Sequence, residues 1–104
     1  MSVELRGTDL RHWIIGEARK QSPVSIRMMI ASAADQGFSF AGRPSKVISD
    51  ALRCERRRGR IVRTGRGEYT LGTIPRTSGR LIDQRLSQLA AAAARSGRQE
   101  RPAA

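Results

Sequence analysis

Around Gly59 the hydrophobic pattern of this chain changes period, and that change restricts the available folds more than any other feature. With residues 45 to 57 placed at about 100° each, Val47, Ile48, Ala51, Leu52 and Cys54 fall on one side. Lys46, Ser49, Asp50, Arg53, Arg56 and Arg57 fall on the other, and Glu55 is the exception on the apolar side. The spacing predicts an amphipathic helix from Pro44-Ser45 to about Arg58, with Gly59 in the usual stop position. Beyond it the pattern becomes extended: Arg60-Ile61-Val62-Arg63-Thr64, then Gly65-Arg66-Gly67, then Glu68-Tyr69-Thr70-Leu71. Two β-prone runs around a Gly-flanked three-residue loop predict a hairpin, because Gly supplies the positive φ such loops require. Tyr69 and Leu71 share one strand face and are expected to pack back on the helices.

Three further helices are expected. Leu10, Trp13, Ile14 and Ala18 recur at helical spacing behind a cap at Thr8 or Asp9, giving a helix to about Lys20. Ser22-Pro23 breaks it, and Val24 supplies a short extended piece. Ser25 caps a second helix from Ile26 to about Gln36, with Ile26, Met29, Ile30 and Ala33 on one face and Gly37 as its stop. Met28-Met29 reads as core. Phe38 and Phe40 are expected to plug the gap between helices. After a linker at 73–76, residues 77–95 predict a C-terminal helix with Leu81, Ile82, Leu86, Leu89, Ala90 and Ala93 at three- and four-residue spacing. That stripe can dimerise the protein or pack on the first helix. Residues 1–8 read as an N-terminal extension and 96–104 as a flexible tail.

The charge is where a function first shows. The chain of 104 residues has a net charge of +11, and residues 41 to 76 hold ten basic against three acidic side chains. Residues 1 to 40 are almost balanced, with five basic against four acidic. A dense basic block is either a disordered polycationic arm or one face of a folded element aimed at a polyanion, and the periodicity selects the second.

Composition argues against other classes. One cysteine, Cys54, and one histidine, His12, allow neither an internal disulfide nor a Cys- or His-rich metal site. Cys54 is expected as a small buried or half-buried hydrophobe and His12 as an ordinary surface residue. No carboxylate cluster, phosphate-binding glycine loop or nucleophile motif is present, so no enzyme, cofactor or small-molecule ligand is expected. No apolar run approaches the roughly 20 residues that span a bilayer, and the chain reads as cytoplasmic.

Helix, helix, basic helix and Gly-tipped hairpin is the element order of the winged helix-turn-helix family. The stretch PSKVISDALRCERRRGRIVRTGRGEYTLG, from Pro44 to Gly72, resembles its recognition helix and wing, and the resemblance extends back to about Asp9. It implies a mainly α domain over 9–72, three helices plus a wing, followed by the C-terminal helix. It also implies that the third helix enters the major groove of double-stranded DNA, with the wing on the minor groove or backbone. Carried over by position, Ser45, Lys46, Ser49, Asp50 and Arg53 face base edges, and Arg56 and Arg57 lie nearer phosphates. Arg63 and Arg66 are the wing contacts, and Arg43 precedes the helix in a Gly-Arg-Pro turn. The connector at 37–43 is longer than the turn of a compact helix-turn-helix.

The residues support this independently. Lys46 and Arg53 have the length and donors to reach guanine O6 and N7. Asp50 either accepts from a cytosine amine or pairs with Lys46 and Arg53 along the helix. Arg66, between glycines, is free to enter a narrow minor groove or to remain a solvated turn residue, and Glu68 nearby opposes phosphate. The expected function is that of a DNA-binding transcriptional regulator or small nucleoid-associated factor. An RNA-binding or ribosome-associated protein is the alternative, though aromatic residues free to stack on unpaired bases are scarce. A protein-interaction module is a third class.

Overall fold

The computed structural model describes residues 2–100. Val3–Glu4 forms strand β1, Gly7–Lys20 helix α1, Val24–Ser25 strand β2 and Ile26–Gln36 helix α2. Phe38–Ser39 is strand β3, Pro44–Arg57 helix α3, Ile61–Gly65 strand β4, Glu68–Leu71 strand β5 and Arg76–Glu100 helix α4. Among the described residues the fold is thus mainly helical, with four helices. A small antiparallel sheet runs in the order β2-β5-β4, which leaves β4 on an edge.

Where the signal is local, the elements end as the sequence predicts. The Ser25 hydroxyl accepts from the Met28 N–H at 3.1 Å, and Gly37 closes α2 with φ 85°. Gly59, after α3, takes φ 73°. The Ser22–Pro23 peptide between α1 and β2 is cis.

Other expectations need correction. Helix α1 starts at Gly7, and neither Thr8 nor Asp9 caps it. Both side chains are engaged elsewhere: the Thr8 hydroxyl accepts from Arg11 Nη2, and the Asp9 carboxylate accepts two hydrogen bonds from Arg85 of α4 at 2.7 and 2.8 Å. The hairpin turn is tighter than three residues. Gly65 lies opposite Glu68, so only Arg66-Gly67 turns, and an irregularity between Arg63 and Gly65 absorbs the odd residue.

Residues 1–8 are not an extension outside the domain. Val3 and Glu4 pair in parallel with Phe38 and Ser39, and Leu5 is fully buried. Removing Leu5 from water stabilises the fold by about 1.5–3 kcal/mol, which helps to offset the entropy of ordering this short strand. The expected linker at 73–76 is held from its first residue: the Gly72 N–H donates to the Arg60 carbonyl at 2.6 Å and the Thr73 N–H to that of Gly59 at 2.9 Å. Helix α4 runs five residues past the expected end at 95, and the remainder of the expected tail, 101–104, lies outside the described residues.

Helix α4 packs on α1. Ile82, Leu89 and Ala93 are buried, and Leu86 lies over Gly16, where a Cβ would come within 2.7 Å of Leu86 Cδ1. Leu81 stays 60% exposed. Trp13 stands at the centre of the core, with the Phe38 and Phe40 rings edge-on to it at 6.2 and 6.5 Å. The two phenylalanines therefore fill the gap between helices as expected, and Met29 is buried beside them in the same cluster. Among the described residues, no helix is long and apolar enough to cross a membrane.

Candidate nucleic-acid interface

Burial of Ile48, Ala51 and Leu52 fixes which side of α3 faces outward. Ser45, Lys46, Asp50, Arg53, Arg56 and Arg57 are exposed on it, and Ser49 is half-buried. Lys46 Nζ lies 3.4 Å from Asp50 Oδ2 and Arg53 Nη1 lies 3.8 Å from Asp50 Oδ1. Of its two readings, Asp50 thus takes the pairing one and tethers both cations along the helix. Arg43 stands at the N-cap, its carbonyl accepting from the Lys46 and Val47 N–H groups while its side chain is exposed.

The last turns of α3 and the free edge of β4 enclose a groove of about 530 Å³. It is lined by Arg53, Arg56 and Arg57 from α3 and by Ile61, Val62 and Arg63 from β4. Val62 is 48% exposed beside them. Arg63 Nε donates to the Gly65 carbonyl at 3.1 Å, which holds the guanidinium along the hairpin. Among the described residues no carboxylate lies within 4 Å of the cationic groups of Arg56, Arg57, Arg63 or Arg66.

The fold therefore gathers Arg53, Arg56, Arg57 and Arg63 around one groove. The other sequence candidates lie apart from it. Arg43, Ser45 and Lys46 sit toward the other end of α3, the nearest of them, Lys46, about 10 Å from Arg53 along the axis at 1.5 Å per helical residue. Arg66 is at the hairpin turn. Sequence reasoning missed Val62, because an alternating strand pattern does not reveal that β4 is an edge.

A second, buried charge cluster sets how α3 meets the hairpin. Glu55 is fully buried, with Arg11 Nε of α1 at 3.9 Å and Arg60 Nη1, just before β4, at 3.6 Å. Neither carboxylate oxygen has a hydrogen-bond partner among the described residues. The same Arg11 donates to Cys54 Sγ at 3.3 Å, so Cys54 is half-buried against a cation. Arg60, part of the basic block in sequence, is thereby withdrawn from the outer surface. Glu55, the exception on the apolar face of α3, is the sequence signal for this.

His12 belongs to the same cluster and is not an ordinary surface residue. It is half-buried, and its Nδ1 is sealed from solvent without a partner among the described residues. Burial disfavours the imidazolium and pushes its pKa below the ordinary value, while the negative charge of Glu55 pulls the other way.

No family model, curated protein or solved structure matches the chain.

Proposed function

We propose that this is a double-stranded DNA-binding protein built as a winged helix, with α3 as recognition helix and the β4–β5 hairpin as wing. The order α1-β2-α2-α3-β4-β5 with sheet order β2-β5-β4 is the arrangement this reading requires. The observation that carries it is the groove walled by Arg53, Arg56, Arg57 and Arg63, three of which have no carboxylate within 4 Å among the described residues. Unneutralised guanidinium groups side by side on one surface suit phosphate oxygens, which they bind through paired N–H donors.

On this reading α3 lies in the major groove. Ser45, Lys46, Ser49 and Arg53 meet base edges, with Asp50 holding Lys46 and Arg53 in place. Arg56, Arg57 and Arg63 meet phosphates, Arg43 meets the backbone beside the helix start, and Arg66 reaches the minor groove. Trp13, Phe38 and Tyr69 are buried and Phe40 is half-buried, so the chain offers no aromatic platform for unpaired bases. This favours duplex DNA over single-stranded RNA. Ile82, Leu86 and Leu89 are occupied within the protomer, which favours packing over dimerisation as the role of α4. The protein then acts in the bacterial nucleoid, as a regulator or an architectural factor.

The test is duplex binding measured over a range of salt. The logarithm of affinity should fall linearly with that of salt, and each phosphate-contacting arginine changed to alanine should reduce the slope by about 1. Salt-independent binding, or an unchanged slope in Arg56→Ala and Arg57→Ala, would remove the reading. Genome-wide occupancy separates the two roles: a few sharp sites indicate a regulator, and broad coverage an architectural factor.

A further inference from the structure

The cleft on the other flank of the hairpin carries cations that the fold itself does not explain. It has a volume of about 510 Å³ and is walled by α1, the end of β5 and the start of α4. Arg19 is bound there by Asp83, but Arg76 and Arg80 are exposed, and among the described residues no carboxylate lies within 4 Å of either. Their positions work against the helix that holds them. They are four residues apart, so like charges face each other on one side of α4. They also lie in its first turns, where the helix dipole is positive, and no acidic residue occupies the first turn. Arginines serving only the fold belong at the other end of a helix; an outside anion reverses the sign of both effects.

The placement is as informative as the charge. Strand β2 covers β5 only at Glu68 and Tyr69, so Leu71 is left open on that side and becomes the wall of this cleft. Its cross-strand neighbour Ile61 lines the α3 groove. Two arginine-lined grooves with apolar residues in their lining, Ile61 and Val62 in one and Leu71 and Ile74 in the other, thus open at the base of a single hairpin, one beside β4 and one beside β5. Both offer guanidinium donors to a rigid polyanion.

We propose that the cleft of Arg76 and Arg80 is a second docking surface for duplex DNA, so that one molecule holds two duplex segments, one on either flank of the hairpin. This rests on the reading of the chain as a duplex-binding protein. The test is a capture experiment with the full chain. A short duplex is fixed to beads, protein is added, and retention of a second, fluorescent duplex is measured. The wild-type protein should retain it. Arg76→Ala/Arg80→Ala should keep its affinity for one duplex within about threefold while losing retention by about tenfold or more, since only the second set of phosphate contacts is removed. Its Tm should not fall, because the substitution relieves repulsion at the helix start. Three results overturn the proposal: retention unchanged in the variant, as bridging by self-association predicts; single-duplex affinity falling in parallel with retention, as one extended footprint predicts; or wild-type protein that binds one duplex and retains no second. A wild-type protein that binds no duplex at all overturns the parent reading as well, which distinguishes the two failures.

Discussion

The arginines of the α1–α4 seam and those of the α3–β4 groove come from one arginine-rich composition but differ in what surrounds them. Along the seam three cations have an acid: Arg85 with Asp9 and Arg19 with Asp83 across it, and Lys20 with Glu17 within α1. In the groove Arg56, Arg57 and Arg63 have none within 4 Å among the described residues, and Val62 lies bare beside them. A net charge of +11 does not distinguish these two populations. The presence of a carboxylate within reach does. Cations paired between elements serve the fold, whereas the unpaired ones, and Lys46 and Arg53 that Asp50 only tethers along α3, are free to meet an external anion.

The strongest challenge to that contrast is Glu55→Gln. It leaves Arg11 and Arg60 half-buried without their counter-charge, and breaking a buried pair costs about 3–5 kcal/mol. At roughly 4–8 °C per kcal/mol for a domain of this size, Tm should drop by more than about 10 °C in thermal unfolding. Adding Arg60→Gln should recover part of the loss. If duplex affinity fell instead while Tm held, the paired class would be the functional one.

The converse variant is Arg56→Ala/Arg57→Ala. Losing two phosphate contacts should weaken duplex binding by about 10- to 100-fold near physiological salt, with little change in Tm. A parallel loss of stability would place these residues with the paired set. A smaller effect is expected from Arg85→Ala, which should lower Tm slightly and leave duplex affinity unchanged. The Arg85 hydrogen bonds hold the Asp9 carboxyl below its usual range, so the stabilisation from this pair is present at neutral pH. It is lost as pH falls through that depressed value. Arg85→Ala should therefore flatten the acid limb of the stability curve.

The smallest expected effect is that of His12. Its pKa is depressed in the folded state, so the unfolded chain takes up the proton first as pH falls below the ordinary value of about 6.5. Stability should be complete above that pH and decline towards the folded-state value. Titration of the imidazole by NMR should give a midpoint below about 6.5, and His12→Gln should remove that part of the pH dependence. A midpoint at or above the ordinary value would mean that the buried cluster accommodates the imidazolium.

What the sequence made legible follows the range of the interactions. Ser25 and Gly37 bound α2 through bonds to residues within four positions, and both could be read directly. The two faces of α3 follow from its own periodicity. The pairing of Val3 with Phe38 has no local signature, because two residues carry no period and the partner lies 35 positions away. Thr8 and Asp9 read as caps while the true partner of Asp9 is out of local range for the same reason: Arg85, which holds it, is 76 residues distant. In the candidate interface, the exposed arginines were visible as a helical stripe. For the withdrawal of Arg60 the sequence holds only the odd placement of Glu55, which does not name its partner, and for the exposure of Val62 it holds nothing, since both depend on where β4 lies relative to α3. The packing of α4 on α1 rests on Gly16, whose missing side chain admits Leu86.

The parallel pairing of β1 with β3, and the seating of α4 against both β1 and α1, also bear on how the chain finds its fold. Most of its residues are helical, yet contacts such as Asp9 with Arg85 and Arg19 with Asp83 close loops of 76 and 64 residues in a chain of 104. Loop closure on that scale must precede the contacts that reward it, and rates fall as contacts become less local. A fragment spanning only 9–72 keeps both walls of the arginine groove but loses Leu5, Ile82 and Leu89 from the buried interior. Such a fragment should expose apolar surface and fold poorly. The groove is formed by the middle of the chain and held in shape by its two ends.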